Sequence, residues 1–167
     1  PSDPAAVVPP VAVSSVPSPR GWAALATAPA ITLPASFTIV MRGQTNGAQA
    51  AFMAAFGPAM APYRTGRYAE AATALQALTE RFPAVDEGWF YLGVAHLYAG
   101  QPDDALEPLG RARDSEVVSD QARWLEAVAL ERAGRSDEAT TALRAVCAAD
   151  RVAHLDACAL VSNPAGR

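Results

Sequence analysis

Two cysteines, Cys147 and Cys158, and two histidines, His96 and His154, are the residues of this 167-residue sequence best suited to metal, redox or nucleophilic chemistry. His154 and Cys158 lie four apart, so on one helix they share a face, and Cys147 can come near them. Three such ligands would suit zinc. There is no Cys-x-x-Cys pair and no fourth ligand, however, which argues against a structural zinc site. No Cys-x-x-Cys-His run is present to attach haem. The two thiols read either as a disulfide, which implies an oxidising compartment, or as two buried thiols. No Ser/His/Asp order, phosphate-cradling glycine loop or carboxylate pair stands out. Asp103 with Asp104, and Asp137 with Glu138, read instead as the acidic first turns of helices, favoured by the helix dipole. No enzyme activity and no cofactor are expected.

Charge and composition then divide the chain. A net charge of −4 leaves no basic footprint for nucleic acid. Residues 1–51 carry only Asp3, Arg20 and Arg42 as charges, and eight of the 14 prolines lie at or before Pro34. From Phe52 onward the sequence is charged and helix-forming. We divide it into an extended proline-rich arm, 1–44, and a helical body, 45–167. The absence of an initiator Met makes Pro1 either a processed terminus or the start of a fragment, with any signal or anchor upstream. The 21 uncharged residues between Arg20 and Arg42 have the length of a membrane span. Pro29, Pro34 and the many alanines, serines and threonines make them too weakly hydrophobic to favour one.

The body repeats itself every 34 residues. Gly66, Gly100 and Gly134 form one column; Ala71, Ala105 and Ala139 a second; Leu75, Leu109 and Leu143 a third. Ala59, Gly93 and Ala127 are all small, Phe56, Phe90 and Trp124 all aromatic, and Glu70, Asp104 and Glu138 all acidic. Each unit reads as two antiparallel helices, with the glycine at the turn where a positive φ is wanted. The small columns let the helices approach and the leucines fill the seam between them. Pro102 suits a first helical position. Pro58 and Pro62 fall inside the first helix of the first unit and should kink or break it, and Pro108 should bend its own helix more mildly.

The stretch "WFYLGVAHLYAGQPDDALEPLGRA" resembles a tetratricopeptide repeat: Trp89, Leu92, Gly93, Gly100, Ala105, Leu109 and Ala112 fall on its pattern, and Pro83 closes the preceding unit. His96 stands where a tyrosine is usual and is expected in the core. The resemblance implies an all-α solenoid of helical hairpins, with repeats at 52–85, 86–119 and 120–149 and a capping helix at 150–162. Cys147 would end the last repeat and Cys158 would lie in the cap. The resemblance further implies that the first helix of each pair lines a concave face. Phe56, Met60 and Tyr63, then Phe90, Val94, Leu97 and Tyr98, then Trp124 and Val128 are the groove residues expected here, with Met53, Glu87, Gln121, Glu131 and Arg132 beside them. These rings are either a ladder along one groove or simply core. Arg64 and Arg132 are the only cations at groove positions, with no lysine, so an apolar, extended, uncharged ligand is expected rather than an acidic tail.

The arm is itself such a segment. It is uncharged from Pro4 to Pro19, its prolines hold it near polyproline II, and Val7, Val8, Val11 and Val13 are apolar pegs. Further on, Phe37, Ile39 and Met41 alternate with Thr38, Val40 and Arg42 on the other face, as a short strand or extended strap. The expected function is that of a non-enzymatic structural and interaction protein, self-assembling into a homo-oligomer or filament as its arm docks on its own or a neighbour's groove. The expected location is extracytoplasmic, with a membrane reached only through segments absent here. The alternative is a peptide-binding sensor or adaptor domain, from a loose resemblance to the repeat regions of membrane-anchored bacterial anti-sigma-like proteins.

Overall fold

A computed structural model describes residues 46–148 and Cys158. The arm, the strand expected near Phe37, and the expected cap at 150–162 apart from Cys158 lie outside the described residues. Among the described residues the helices follow in the order α1 (Asn46–Ala59), α2 (Ala61–Arg64), α3 (Tyr68–Arg81), α4 (Asp86–Tyr98), α5 (Pro102–Ala112), α6 (Ser119–Arg132) and α7 (Ser136–Ala148). Among these same residues there is no strand, and the fold is an all-α helical repeat. Each long helix packs chiefly on the next one in the chain, and α4 and α6, which start successive hairpins, also touch. This nearest-neighbour arrangement is that of a solenoid.

The break at α1/α2 has a covalent cause. Pro62 has no N–H to give the carbonyl of Pro58, and its ring crowds that same carbonyl one turn back. The helix stops at Ala59, Met60 is a turn residue, and α2 restarts with Pro62 near its first position. By contrast, α5 continues through Pro108, which is buried.

The glycine column closes three equivalent turns. Gly66, Gly100 and Gly134 have φ of 74°, 80° and 77°. At each, the glycine N–H donates to the carbonyl three residues back, and the next N–H reaches five back: Gly66 to Tyr63 and Arg67 to Pro62, Gly100 to Leu97 and Gln101 to His96, Gly134 to Glu131 and Arg135 to Leu130. This is the Schellman pattern, which satisfies the last carbonyls of a helix while reversing the chain. The next helix begins at once. Arg67 pairs with Glu70 at 2.7 Å, and Arg135 with Glu138 at 2.7 Å. In the middle repeat Gln101 takes the arginine's place, and its Oε1 accepts a hydrogen bond from His96 Nδ1 at 3.1 Å. His96 is therefore not the core residue expected; it is half-buried, held at the turn by Gln101.

The small columns do what close approach requires. Ala71, Ala105 and Ala139 are fully buried, as are Leu75 and Leu109, with Leu143 at 2% exposure. A Cβ added at Gly93 would stand 2.6 Å from Leu109 Cγ, so α4 and α5 meet where only glycine fits. Two apolar clusters result. One extends from Phe52 to Ala129; the other is Ala127 with Leu143 and Val146, and Trp124 packs against both.

Candidate functional site

The expected groove residues come from the first helices, α1, α2, α4 and α6, but the structure buries most of them. Phe56 and Phe90 are 1% exposed, Met60 and Val94 0%, Leu97 1%, Val128 2% and Tyr63 5%; only Tyr98 and Trp124 are half-buried. The open apolar trough expected from these nine residues is therefore corrected: their stripe is interior. The ring column of 56, 90 and 124 is not the one that stacks. Phe82 meets Phe52, then Phe56, then Tyr91, with centroids 5.5, 5.3 and 5.5 Å apart. Tyr91 also touches Phe90 at 5.2 Å and Tyr63 at 5.8 Å; Tyr63 leads to Tyr68 at 5.3 Å, and Tyr68 to Tyr98 at 5.6 Å. Eight rings from four helices and a turn thus form one chain, each contact adding roughly 0.5–1.5 kcal/mol beyond area burial. Tyr68 and Tyr91 are its crossing points. Neither falls in one of the repeat columns, so the period gave no signal for them.

Accessible side chains recur at the C-terminal edge of the first helices. Arg64, Tyr98 and Arg132 recur there at the 34-residue spacing; both arginines are exposed. The Arg132 guanidinium lies 5.3 Å from the Tyr98 ring centroid, and its Nη1 donates to the Leu97 carbonyl at 3.4 Å. Beside this rung an open cleft of about 340 Å³ is lined by Gly66, Arg67, Tyr68, Ala69, Glu70, Tyr98 and Ala99. The Tyr98 hydroxyl is shut off from solvent and has no hydrogen-bond partner among the described residues. Burial is the main cause that pushes its pKa up to about 12, with Arg132 opposing and Tyr68 adding to the shift. The protonated phenol can both donate and accept a hydrogen bond. Burial likewise raises the Tyr63 and Tyr91 phenols.

Other polar groups are structural. Trp89 Nε1 donates to the Pro83 carbonyl at 2.9 Å under the Arg111 guanidinium, 4.3 Å from the ring centroid. Ser115 Oγ accepts from the N–H groups of Val117 and Val118 and orders the entry to α6. Glu87 is buried, and desolvation raises its pKa, with the backbone amide opposing and Asp86 adding. Arg113 reaches Glu126 at 3.3 Å in a second cleft of about 210 Å³ between α5, α6 and α7. Cys147, near the end of α7, is joined to Cys158 by a disulfide, with Cα atoms 4.9 Å apart. Among the described residues no group of three or more His, Cys, Asp or Glu could hold a metal ion, and no helix is long and apolar enough to cross a membrane.

A comparison with curated proteins gives no match. The sequence pattern of the tetratricopeptide repeat family matches residues 59–105 and again 94–154, two overlapping stretches that together cover more than half of the chain. Those repeats serve as protein–protein interaction modules, generally without catalysis of their own. Three reversals of one geometry, set 34 residues apart and followed each time by a helix packed on its predecessor, agree with that match, and the chain belongs to the tetratricopeptide repeat family.

Proposed function

We propose that this protein is an interaction and structural subunit that binds an extended, uncharged, apolar segment along the exposed edge of its first helices, and that its own residues 4–19 supply that segment. The observation that carries the reading is the edge itself. Arg64, Tyr98 and Arg132 recur along it one per repeat, Tyr98 lining an open cleft, while the apolar stripe behind them is already buried. A ligand tracking this edge meets one aromatic rung, Tyr98, between two exposed arginines, Arg64 and Arg132. A segment without charges, stiffened by prolines, loses little entropy on docking there. Docked on a neighbouring copy, the same segment links molecules head to tail and gives a ring or an open filament. The Cys147–Cys158 disulfide supports a location outside the reducing cytoplasm.

Deleting residues 1–20 and measuring particle mass by light scattering tests the reading. The full chain should give assemblies heavier than one chain and the deletion should give monomers. An unchanged mass counts self-assembly out.

A further inference from the structure

We propose that the cleft between α5, α6 and α7 is a socket for the indole ring of Trp22, supplied by the same molecule or a neighbouring copy. The repeat period carries the argument. Trp89 and Arg111 stand one 34-residue step before Arg123 and Ala145. In the second repeat that pair is complete: the Arg111 guanidinium lies 4.3 Å from the Trp89 ring centroid, and Trp89 Nε1 donates to the Pro83 carbonyl at 2.9 Å. In the third repeat the same two columns hold Arg123 and Ala145, and both line the cleft of about 210 Å³. The guanidinium now stands on the first helix, and neither column supplies a ring. The volume is below that of drug-sized pockets and suits one side chain.

The other walls agree. Gly110 lines the cleft and belongs to α5. Glycine inside a helix destabilises it relative to alanine. A Cβ at Gly110 would meet only Arg113 Nη2, at 3.9 Å, so neither close packing nor a positive φ demands glycine there. Its missing side chain keeps the cleft open. Val146 is buried and gives an apolar floor. Glu126 pairs with Arg113 at 3.3 Å. A carboxylate has about four acceptor positions, so Glu126 can also take an indole N–H.

The occupant is argued from the same chain. Tryptophan is the best ring partner for a guanidinium, and its N–H suits a carboxylate. Of the three tryptophans, Trp89 and Trp124 are built into the packed body, which leaves Trp22. Its neighbours Gly21 and Ala23 are small and add little bulk at the mouth of a narrow cleft. It can also reach. Twenty-four residue steps separate Trp22 from Asn46, and extended they span up to about 80 Å. Four helix-to-helix steps, from α1 through α3, α4 and α5 to α6, amount to about 40 Å. The lining residues are distinct from the edge assigned to residues 4–19, so neither reading needs the other.

The test uses the full chain with a photoreactive benzophenone amino acid in place of Trp22, which keeps an aromatic ring at that position. Irradiation followed by peptide mass spectrometry should give cross-links within 110–114 and 142–146. Gly110→Leu, which fills the cleft from α5, should lower that yield about tenfold, or about 1.4 kcal/mol. Gly110→Ala should leave it unchanged. Ala145→Trp returns a ring to the column beside Arg123 and should displace residue 22 by the same factor, which keeps the test decisive should Gly110→Leu fail to fold. Full yield in Ala145→Trp, or cross-links concentrated outside the cleft, overturns the socket. Deleting residues 1–20 retains position 22, so the two readings fail separately. Cleft cross-links that persist in the deletion support the socket whatever its particle mass. Dissociation on deletion without cleft cross-links overturns the socket and leaves the docking of residues 4–19 standing.

Discussion

The first two repeats and the third are built on one plan but held together differently. From α1 to α4 the interior is an eight-ring chain that crosses helices at Tyr91, Tyr63 and Tyr68. Between α6 and α7 the second cluster is only Ala127, Leu143 and Val146, with Trp124 as the one large ring, shared with its neighbour. The third repeat carries a constraint of another kind, a disulfide near the end of α7.

This contrast can be broken most directly by truncating each core. Phe56→Ala should cost about 4 kcal/mol, against about 3 kcal/mol for Leu143→Ala, by denaturant titration. Hydrogen exchange should show the first loss spread over α1–α5 and the second confined to α6 and α7. Equal costs with equal spread would erase the distinction. Reducing Cys147–Cys158 should come next, at about 3 kcal/mol for an 11-residue loop in the chain-entropy view. Its effect should appear in α6 and α7 only, and loss of protection in α3 or α4 would show one cooperative unit instead. Gly100→Ala and Gly134→Ala each force a side chain into positive φ and should cost about 1–2 kcal/mol. A methyl carbon at either position would meet nothing within 4 Å, so the two costs should match, and a large inequality would mean the turns differ by packing.

The smallest effects are electrostatic. Glu87 and Glu126 both have raised pKa values from burial, one in each region, but Arg113 and Arg123 offset the second. A carboxyl raised in the folded state contributes stability that is fully present below its unfolded value of 4.5 and is lost as pH rises through the folded value. Glu87→Gln should therefore raise the melting temperature at neutral pH and flatten its fall as pH rises above 4.5. Glu126→Gln should do so less, since it also orphans Arg113. The reverse order would place the heavier desolvation in the third repeat.

The columns were legible because each answers to a local or pairwise demand that one residue type meets. Only glycine takes φ near 77° without strain, so Gly66, Gly100 and Gly134 mark the turns whatever surrounds them. Pro62 breaks the first helix through its own ring and missing donor, while Pro58 lies inside α1 without ending it. The site was less legible. Phe56, Phe90 and Trp124 share a column, yet two are interior and one bridges the clusters, because exposure depends on what the neighbouring helices bring. Tyr68 belongs to a second helix and Tyr91 is one step off the aromatic column, so neither was visible in a period.

What the residues determined alone, then, is the hairpin plan: its 34-residue period, its turns, its broken first helix and its alanine and leucine seams. Backbone strain and helix contact distance act on individual positions and leave a mark at each. Which rings join into a chain, which phenol is left without a partner, and which edge stays accessible were decided only when helices far apart in sequence packed together. Burial and hydrogen-bond pairing are properties of the assembled neighbours, and no single position encodes them.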